Sequence, residues 1–245
     1  MEKVVIVTGG SRGIGAATSK LLAHQGYAVC VNYLSHKECA EQVVSDIRTA
    51  GGDAFAFQAD MTMEDQVQAM FIATRQRYGT VTHLVNNVGI LFSQSTLRDI
   101  SVERFKQVLD TNVISCFVCC KTYINQLGEE TKGAIVNVSS AASRTGAPFE
   151  YVDYAASKGA MDSLTKGLSL ELAERGIRVN GVRPGCIYTE MHADGGEPGR
   201  VDRLAPKIPL KRGGTAEEVA ESIAWLLSEK ASFVTGSFID IAGGN

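Results

Sequence analysis

The sequence predicts an α/β fold, a doubly wound parallel sheet of about seven strands with helices on both faces. Three observations carry that reading. Short apolar runs alternate with longer amphipathic segments from one end of the chain to the other, the rhythm of βαβ units. A glycine cluster, Gly9 to Gly15, separates the first apolar run from the first helical pattern. A chain of 245 residues with 44% hydrophobic content can bury one substantial core; length alone permits one large domain or two small ones, and residues 1–245 are read as a single domain.

Each element has its own signal. Lys3 to Thr8 is an apolar run short enough for a buried strand, and glycines end it. The helix after the glycine turn places Ile14, Ala17, Leu21 and Leu22 on one face and stops at Gly26. Ala28 to Tyr33 is the second strand, and Ser35 with Glu38 has capping-box spacing for a helix ending near Gly51 and Gly52. Ala54 to Gln58 is the third strand, Thr62 caps a helix to about Tyr78, and His83 to Asn86 is a short fourth strand. A long helical stretch runs from Ser101 to about Gln126, followed by the strand Ala134 to Ser139. The helix bearing Tyr154 and Lys158 extends to about Arg175, and Ile177 to Val182 is the next strand. Thr215 with Glu218 caps a last helix through Leu227, and Ser237 to Ile241 closes the set. Only Tyr188 to Arg212 breaks the rhythm. It holds Pro198, Pro206 and Pro209 with Gly195, Gly196 and Gly199, and reads as a mobile substrate lid over about 188–212.

Composition removes several function classes. A net charge of −3 and a pI near 5.9 argue against a nucleic-acid partner. The first apolar run is too short for a membrane span and lacks the form of a signal peptide, so a cytoplasmic protein with no membrane partner is expected. Of the six cysteines, Cys30 lies in a strand pattern, and Cys116, Cys119 and Cys120 share an apolar segment with Val113, Phe117 and Val118. They read as small buried hydrophobes rather than disulfides. The Cys-x-x-Cys-Cys spacing has no second ligand pair and the four histidines have no His-x-x-x-His spacing, so no metal is expected.

Two motifs carry chemistry. Gly9, Gly13 and Gly15 lie in a strand–turn–helix context, where glycines permit a tight turn and the helix N-terminus attracts a pyrophosphate. Tyr154 and Lys158 are four apart, hence neighbours on one helix face. A free tyrosine has a pKa of about 10, and an adjacent ammonium should lower it to give a usable proton donor or acceptor. Alone, such a pair is equally a surface contact on a helix.

Together with Asn86-Asn87-Val88-Gly89 and Arg183-Pro184-Gly185, these motifs resemble the short-chain dehydrogenase/reductase family, in the family's order and over essentially the whole chain. The branch it is most similar to holds the 3-oxoacyl carrier-protein reductases and glucose dehydrogenases. The resemblance implies a Rossmann fold and an oxidoreductase moving hydride between a nicotinamide cofactor and a carbonyl or secondary alcohol. It also implies roles. Tyr154 would be the acid/base, Lys158 would lower its pKa and bond the nicotinamide ribose, and Ser140 would hold the substrate oxygen, with Ser139 and Ser143 as competitors. Asn112 would complete the catalytic set by bending its helix and ordering a water for proton relay. Val88 stands where the family usually has alanine, which puts local packing in question.

The implied cofactor set is Gly9, Ser11, Arg12, Gly13, Ile14 and Gly15 in the turn, then Asn32, Tyr33 and Ser35 after the second strand. Asp60 and Met61 follow the third strand, Asn86, Val88 and Gly89 the fourth. Tyr154, Lys158, Pro184, Gly185, Ile187 and Thr189 would complete it around the nicotinamide. The cofactor itself reads as NADP(H). An NAD site places an acid at the end of the second strand, ~20 residues past the turn. Here Asn32 and Tyr33 are followed by no acid until Glu38, and Arg12 and Ser35 can meet a 2′-phosphate. The pocket is expected to draw on Ala147 to Tyr151, Ile90, Leu91, Phe92, Tyr188 and Met191, suiting a 3-oxoacyl thioester, sugar, steroid or small ketone. Family members assemble through the two long helices, so a homotetramer is expected. The competing reading, a catalytically silent nucleotide-binding sensor or scaffold, has no use for a full proton-transfer set.

Overall fold

Seven apolar runs pair side by side, all parallel, in one sheet. The strands are β1 (Lys3–Val7), β2 (Tyr27–Tyr33), β3 (Asp53–Gln58), β4 (His83–Asn86), β5 (Gly133–Val138), β6 (Ile177–Pro184) and β7 (Phe238–Ile241). Their spatial order is β3-β2-β1-β4-β5-β6-β7. The computed structural model describes residues 3–128 and 131–245; Met1, Glu2, Glu129 and Glu130, all inside the expected domain span, lie outside the described residues.

Crossovers between parallel strands need helices, and the helical segments supply them. They are α1 (Gly13–His24), α2 (Lys37–Thr49), α3 (Glu64–Tyr78), α4 (Val102–Leu109), α5 (Ser115–Gln126), α6 (Ala142–Thr145), α7 (Val152–Glu171), α8 (Met191–Asp194), α9 (Arg200–Leu204) and α10 (Ala216–Leu227). Alternation along each strand divides the core into two layers. Val5, Val7, Val29 and Val31 pack against Leu22 of α1, Val43 and Ile47 of α2 and Ile223 of α10. Val4, Ile6, Leu84 and Ile135 face the other way, onto Met70 and Phe71 of α3, Tyr123 of α5 and Met161 of α7. Cys30, Cys116, Cys119 and Cys120 are buried in that second layer.

Three local expectations change. The helix expected behind a Ser35–Glu38 box begins instead at Lys37, with His36 at its N-cap and no side-chain cap. Thr62 does not cap its helix, because the Asp60 carboxylate takes both the Thr62 amide and hydroxyl; α3 starts two residues later, behind Met63. The long stretch from Ser101 is capped, since the Ser101 hydroxyl accepts from the Arg104 amide, and is helical without a break to Gln126, but it is not α-helical throughout. A π-helical turn, Asp110–Ile114, separates α4 from α5. The capping box of Thr215 and Glu218 forms in both directions, at 3.3 and 2.9 Å.

Strand order reverses at β1, which lies between β2 and β4. The loops leaving β1 and β4 therefore diverge and open a crevice at the carboxyl edge, the place where such sheets bind ligands. Among the described residues no helix is long and apolar enough to cross a membrane.

Candidate active site

The floor of the crevice is the turn from β1 into α1. Gly13 has φ +50°, a conformation glycine adopts without penalty. A methyl on Gly15 would stand 2.2 Å from the Gly9 carbonyl oxygen, so only glycine lets the turn close this tightly. Polar side chains hold it shut from both sides. The Gly9 amide donates to Asn32 Oδ1 at 3.1 Å, and Asn87 Nδ2 donates to the carbonyls of Thr8 and Gly9 at 3.1 and 3.0 Å. Thr8 Oγ1 in turn accepts from the Asn87 and Val88 amides. The exposed amides of a tight turn at the start of α1 form a cradle suited to the pyrophosphate of a dinucleotide.

Beside this turn is a cavity of about 550 Å³, bounded by residues from the ends of β5 and β6, the start of α7 and the segment after β6. Ser140, Tyr154 and Lys158 lie together on its wall, with Ile14 and Thr189 on the glycine-turn side. Lys158 Nζ stands 5.6 Å from the centre of the Tyr154 ring and donates to the Val138 carbonyl at 2.8 Å. Gly89 is close enough that a methyl on it would meet Lys158 Nζ at 3.3 Å and Asn112 Oδ1 at 3.5 Å.

The electrostatics differ from the expectation of a lowered phenol pKa. Burial raises Tyr154 from 10.0 to about 12, with the hydrogen bond to Ser140 pulling the other way. Burial also lowers Lys158 from 10.5 to about 8. Both groups are removed from water, and desolvation penalises whichever form is charged. Burial in the shared site therefore sets the direction of both shifts.

Asn112 is fully buried in the π turn. Its Oδ1 accepts from the Ile90 amide at 2.7 Å, and its Nδ2 donates to the Ile90 carbonyl at 3.0 Å and to Ser157 Oγ at 2.9 Å. Ser157 passes the chain of hydrogen bonds to the Tyr154 carbonyl at 2.7 Å. Among the three serines, Ser139 is buried and donates to the Lys158 carbonyl, while Ser143 donates to the Ser140 carbonyl. Ser140 Oγ accepts from the Ala142 amide and faces the cavity.

The remaining expected cofactor residues fall into three groups. Ser11, Arg12, Ser35, Asp60, Val88, Gly89, Gly185 and Thr189 are partly or fully exposed along the carboxyl edge. Pro184 and Ile187 are buried in the cavity wall. The side chains of Asn32, Tyr33, Met61 and Asn86 are turned inward instead. Asn32 Nδ2 donates to the Ala59 carbonyl at 3.0 Å, Tyr33 and Met61 join the core layers, and Asn86 Nδ2 donates to Asn137 Oδ1 at 2.8 Å. Whatever these four contribute to a cofactor comes through their backbone and through the shape they impose. Arg12 reaches Asp194 of α8 at 2.9 Å.

The expected pocket residues also divide. Leu91, Ala147, Pro148, Glu150, Tyr151 and Met191 line the cavity. Ile90, Phe92, Phe149 and Tyr188 do not. Phe149 is 82% exposed, Phe92 lies under Arg104, and Tyr188 borders a separate groove along α1. Sequence reasoning overlooked Thr8, Asn87 and Ser157. Ser157 had a usable signal: it is three residues from Tyr154, on the same side of the helix.

Comparison with known proteins places this geometry in context. A family model described as Enoyl-(Acyl carrier protein) reductase matches residues 9–245. The uncharacterized oxidoreductase YgfF of Escherichia coli K12 is 59% identical over 244 residues, covering 98% of this chain and 99% of its own. The 3-oxoacyl-[acyl-carrier-protein] reductase FabG of Staphylococcus aureus is 38% identical over 244 residues, covering 100% and 98%. A short chain dehydrogenase from Burkholderia cenocepacia J2315, solved in complex with NADP, superposes with a TM-score of 0.89 at 34% identity, covering 99% of this chain and 97% of that one.

The buried lysine makes stability depend on pH with a definite sign. Between about 8 and 10.5 the unfolded chain carries a proton on Lys158 that the folded chain does not, so stability rises with pH across that window. Tyr154 acts in the opposite sense at higher pH: its contribution is intact below 10.0 and is lost as pH climbs towards about 12. Urea unfolding of wild type and Lys158→Met should therefore show the wild type gaining on the variant from pH 8 to 10.5. A difference that stays flat across the window contradicts the burial argument.

Proposed function

The chain belongs to the short-chain dehydrogenase/reductase family of oxidoreductases, and we propose that it is an NADP(H)-dependent enzyme interconverting a carbonyl and a secondary alcohol. The observation that carries this reading is the convergence of Ser140, Tyr154 and Lys158 on one cavity wall beside the glycine turn. A binding module needs only the turn.

The family uses a nicotinamide cofactor, and the cradle of this chain fits one: a turn only glycine can close, at a helix N-terminus, at the reversal of strand order. Gly9 to Gly15 would hold the pyrophosphate, Asp60, Val88 and Gly89 the adenosine side, and Pro184, Gly185, Ile187 and Thr189 the nicotinamide side. Bound there, the nicotinamide supplies or accepts the hydride. The chain's own residues handle position and the proton. Ser140 donates a hydrogen bond to the substrate oxygen and orients the carbonyl. Tyr154, kept protonated by its burial, gives its proton to that oxygen in the reductive direction and takes it back in the oxidative one. Lys158, a short distance from the ring, favours the phenolate left behind. Asn112 holds the π turn against Ile90 and Ser157 through its carboxamide and would order a water for proton relay.

NADP(H) is favoured over NAD(H) because no carboxylate ends β2 to repel a 2′-phosphate, while Ser35 is exposed just past that end and Arg12, half-buried in the glycine turn against Asp194, supplies a cation. The NADP complex of the Burkholderia relative supports the same choice. Residues 188–212 form the lid of a single domain, carrying α8 and α9 over the cavity. Arg200 clasps them to the opposite rim through Glu150. Six free cysteines suit a reducing compartment and support a cytoplasmic setting, which cell fractionation would report. The substrate panel to test is an acetoacetyl thioester, a hexose, a ketosteroid and cyclohexanone, the thioester first because of the Staphylococcus relative.

Three outcomes are expected. Tyr154→Phe keeps the ring's packing and loses the proton, so turnover should fall by ~10²–10⁴-fold while NADPH still binds; near wild-type turnover would remove Tyr154 from the mechanism. Arg12→Ala should weaken NADPH by roughly the 1.5–3 kcal/mol of a hydrogen bond to a charged group and leave NADH nearly unchanged. Fluorescence titration of both cofactors checks this, and equal losses would overturn the NADP(H) assignment. The third concerns assembly. Met161 is buried, and Leu164 and Leu168 pack against their own core, so the interface falls to Ile114, Phe117 and Leu170, which are exposed on the same helical layer. Light scattering should give the mass of a homotetramer, four times 26.2 kDa; a single-chain mass across micromolar dilution would refute it.

A further inference from the structure

The residue before the proposed acid is unusual in its surroundings. Asp153 sits in the first turn of α7, and its side chain is 1% exposed. One carboxylate oxygen accepts from the Tyr154 amide at 2.9 Å, and the other accepts from Arg104 Nε at 2.7 Å. Arg104 Nη2 reaches the first oxygen as well, at 3.4 Å, so guanidinium and carboxylate meet as a fork. Arg104 is itself fixed. Its amide is capped by Ser101, its Nη1 donates to the Ser93 carbonyl at 2.9 Å, and its guanidinium lies 5.4 Å from the centre of the Phe92 ring.

We propose that Arg104 and Asp153 are a positioning pair that sets the start of the catalytic helix, and so Tyr154, against the loop following β4. This rests on the reading of Tyr154 as the acid/base. The loop in question carries Ile90, locked to Asn112, and Leu91, on the cavity wall. The fork thus joins three segments, namely α4, the cavity wall and the turn that holds Tyr154. Tyr154 is tied at both ends of this arrangement, by its amide to Asp153 and by its carbonyl to Ser157.

Stability alone does not call for such a pair. Replacing a buried ion pair by neutral groups of similar volume is often neutral or stabilising, while removing one partner leaves an uncompensated charge. What the fork supplies that a neutral pair lacks is direction: two donors in a fixed plane on one carboxylate. The family's proton transfer needs the phenol within hydrogen-bond reach of the substrate oxygen, and a shift of ~1 Å can reduce rate by ~10²-fold.

The two roles separate by experiment on the full-length chain, with NADPH and whichever panel carbonyl compound wild type reduces fastest. Arg104→Met alone should lower both the urea midpoint and kcat. The double variant Arg104→Met/Asp153→Asn should regain the urea midpoint while kcat stays ~10- to 100-fold down and the KM for NADPH is unchanged. Arg104→Lys, which keeps the charge without the fork, should unfold like wild type and still lose kcat. Recovery of kcat together with stability in the double variant, or wild-type kcat in Arg104→Lys, would assign the pair a structural role only and overturn the proposal. Tyr154→Phe run alongside keeps the premises apart. If it stays active, or wild type reduces nothing in the panel, the reading of the site fails; if it is inactive while the double variant is not, only the positioning pair fails.

Discussion

Parallel pairing is the constraint on which the rest depends. Because all seven strands run the same way, every strand delivers its carboxyl end to one edge of the sheet. The glycine turn after β1, Asn87 to Gly89 after β4, Ser140 after β5 and Gly185 after β6 are remote in sequence and adjacent in space for that single reason. The reversal of order at β1 then opens the crevice they line. No side chain has to be carried to the site by a long excursion.

That edge is also where a sheet is hardest to finish, because loops there bring polar backbone under cover. The chain solves this with amides and hydroxyls placed just beneath the crevice. Asn32 and Asn87 close the glycine turn, and Asn112 braces Ile90. Below them Asn86 donates to Asn137, Asn137 to Thr165, and Thr165 to the Met161 carbonyl, a buried line running from β4 through β5 into α7. Apart from Asn86 Oδ1, which has no partner among the described residues, groups satisfied in this way are rigid, since each alternative geometry leaves a buried donor or acceptor unpaired.

Charge follows the same logic. Lys158 is held out of water, with the Val138 carbonyl and the Met161 sulfur as its hydrogen-bond partners among the described residues, and burial leaves its proton loosely held for a lysine. Asp153 is buried too, but it has a guanidinium against it. Beside the cavity Arg200 and Arg203 face Glu150 and Glu197, two charges of each sign that cancel. The cavity is left mostly apolar, with Ser140, Tyr154 and Lys158 among the polar groups on its wall.

By itself the sequence determined the layer architecture, the strand order's overall type and the identity of the catalytic candidates. Alternating apolar runs, turn glycines and the Tyr154–Lys158 spacing are local patterns, written in neighbouring residues. The capping box of Thr215 and Glu218 was legible for the same reason, and the failed ones show the limit: Thr62 was captured by Asp60, a competitor whose geometry no spacing rule contains. Only the tertiary structure decided which way side chains turn. Asn32 and Asn86 looked like cofactor contacts because they end strands, yet both are consumed by partners more than twenty residues away. Leu91 reaches the cavity and Phe92 does not, although they are adjacent. The raised pKa of Tyr154 belongs here as well. A helix spacing places an ammonium near a phenol, but burial is a property of the whole fold, and it is desolvation that raises this phenol.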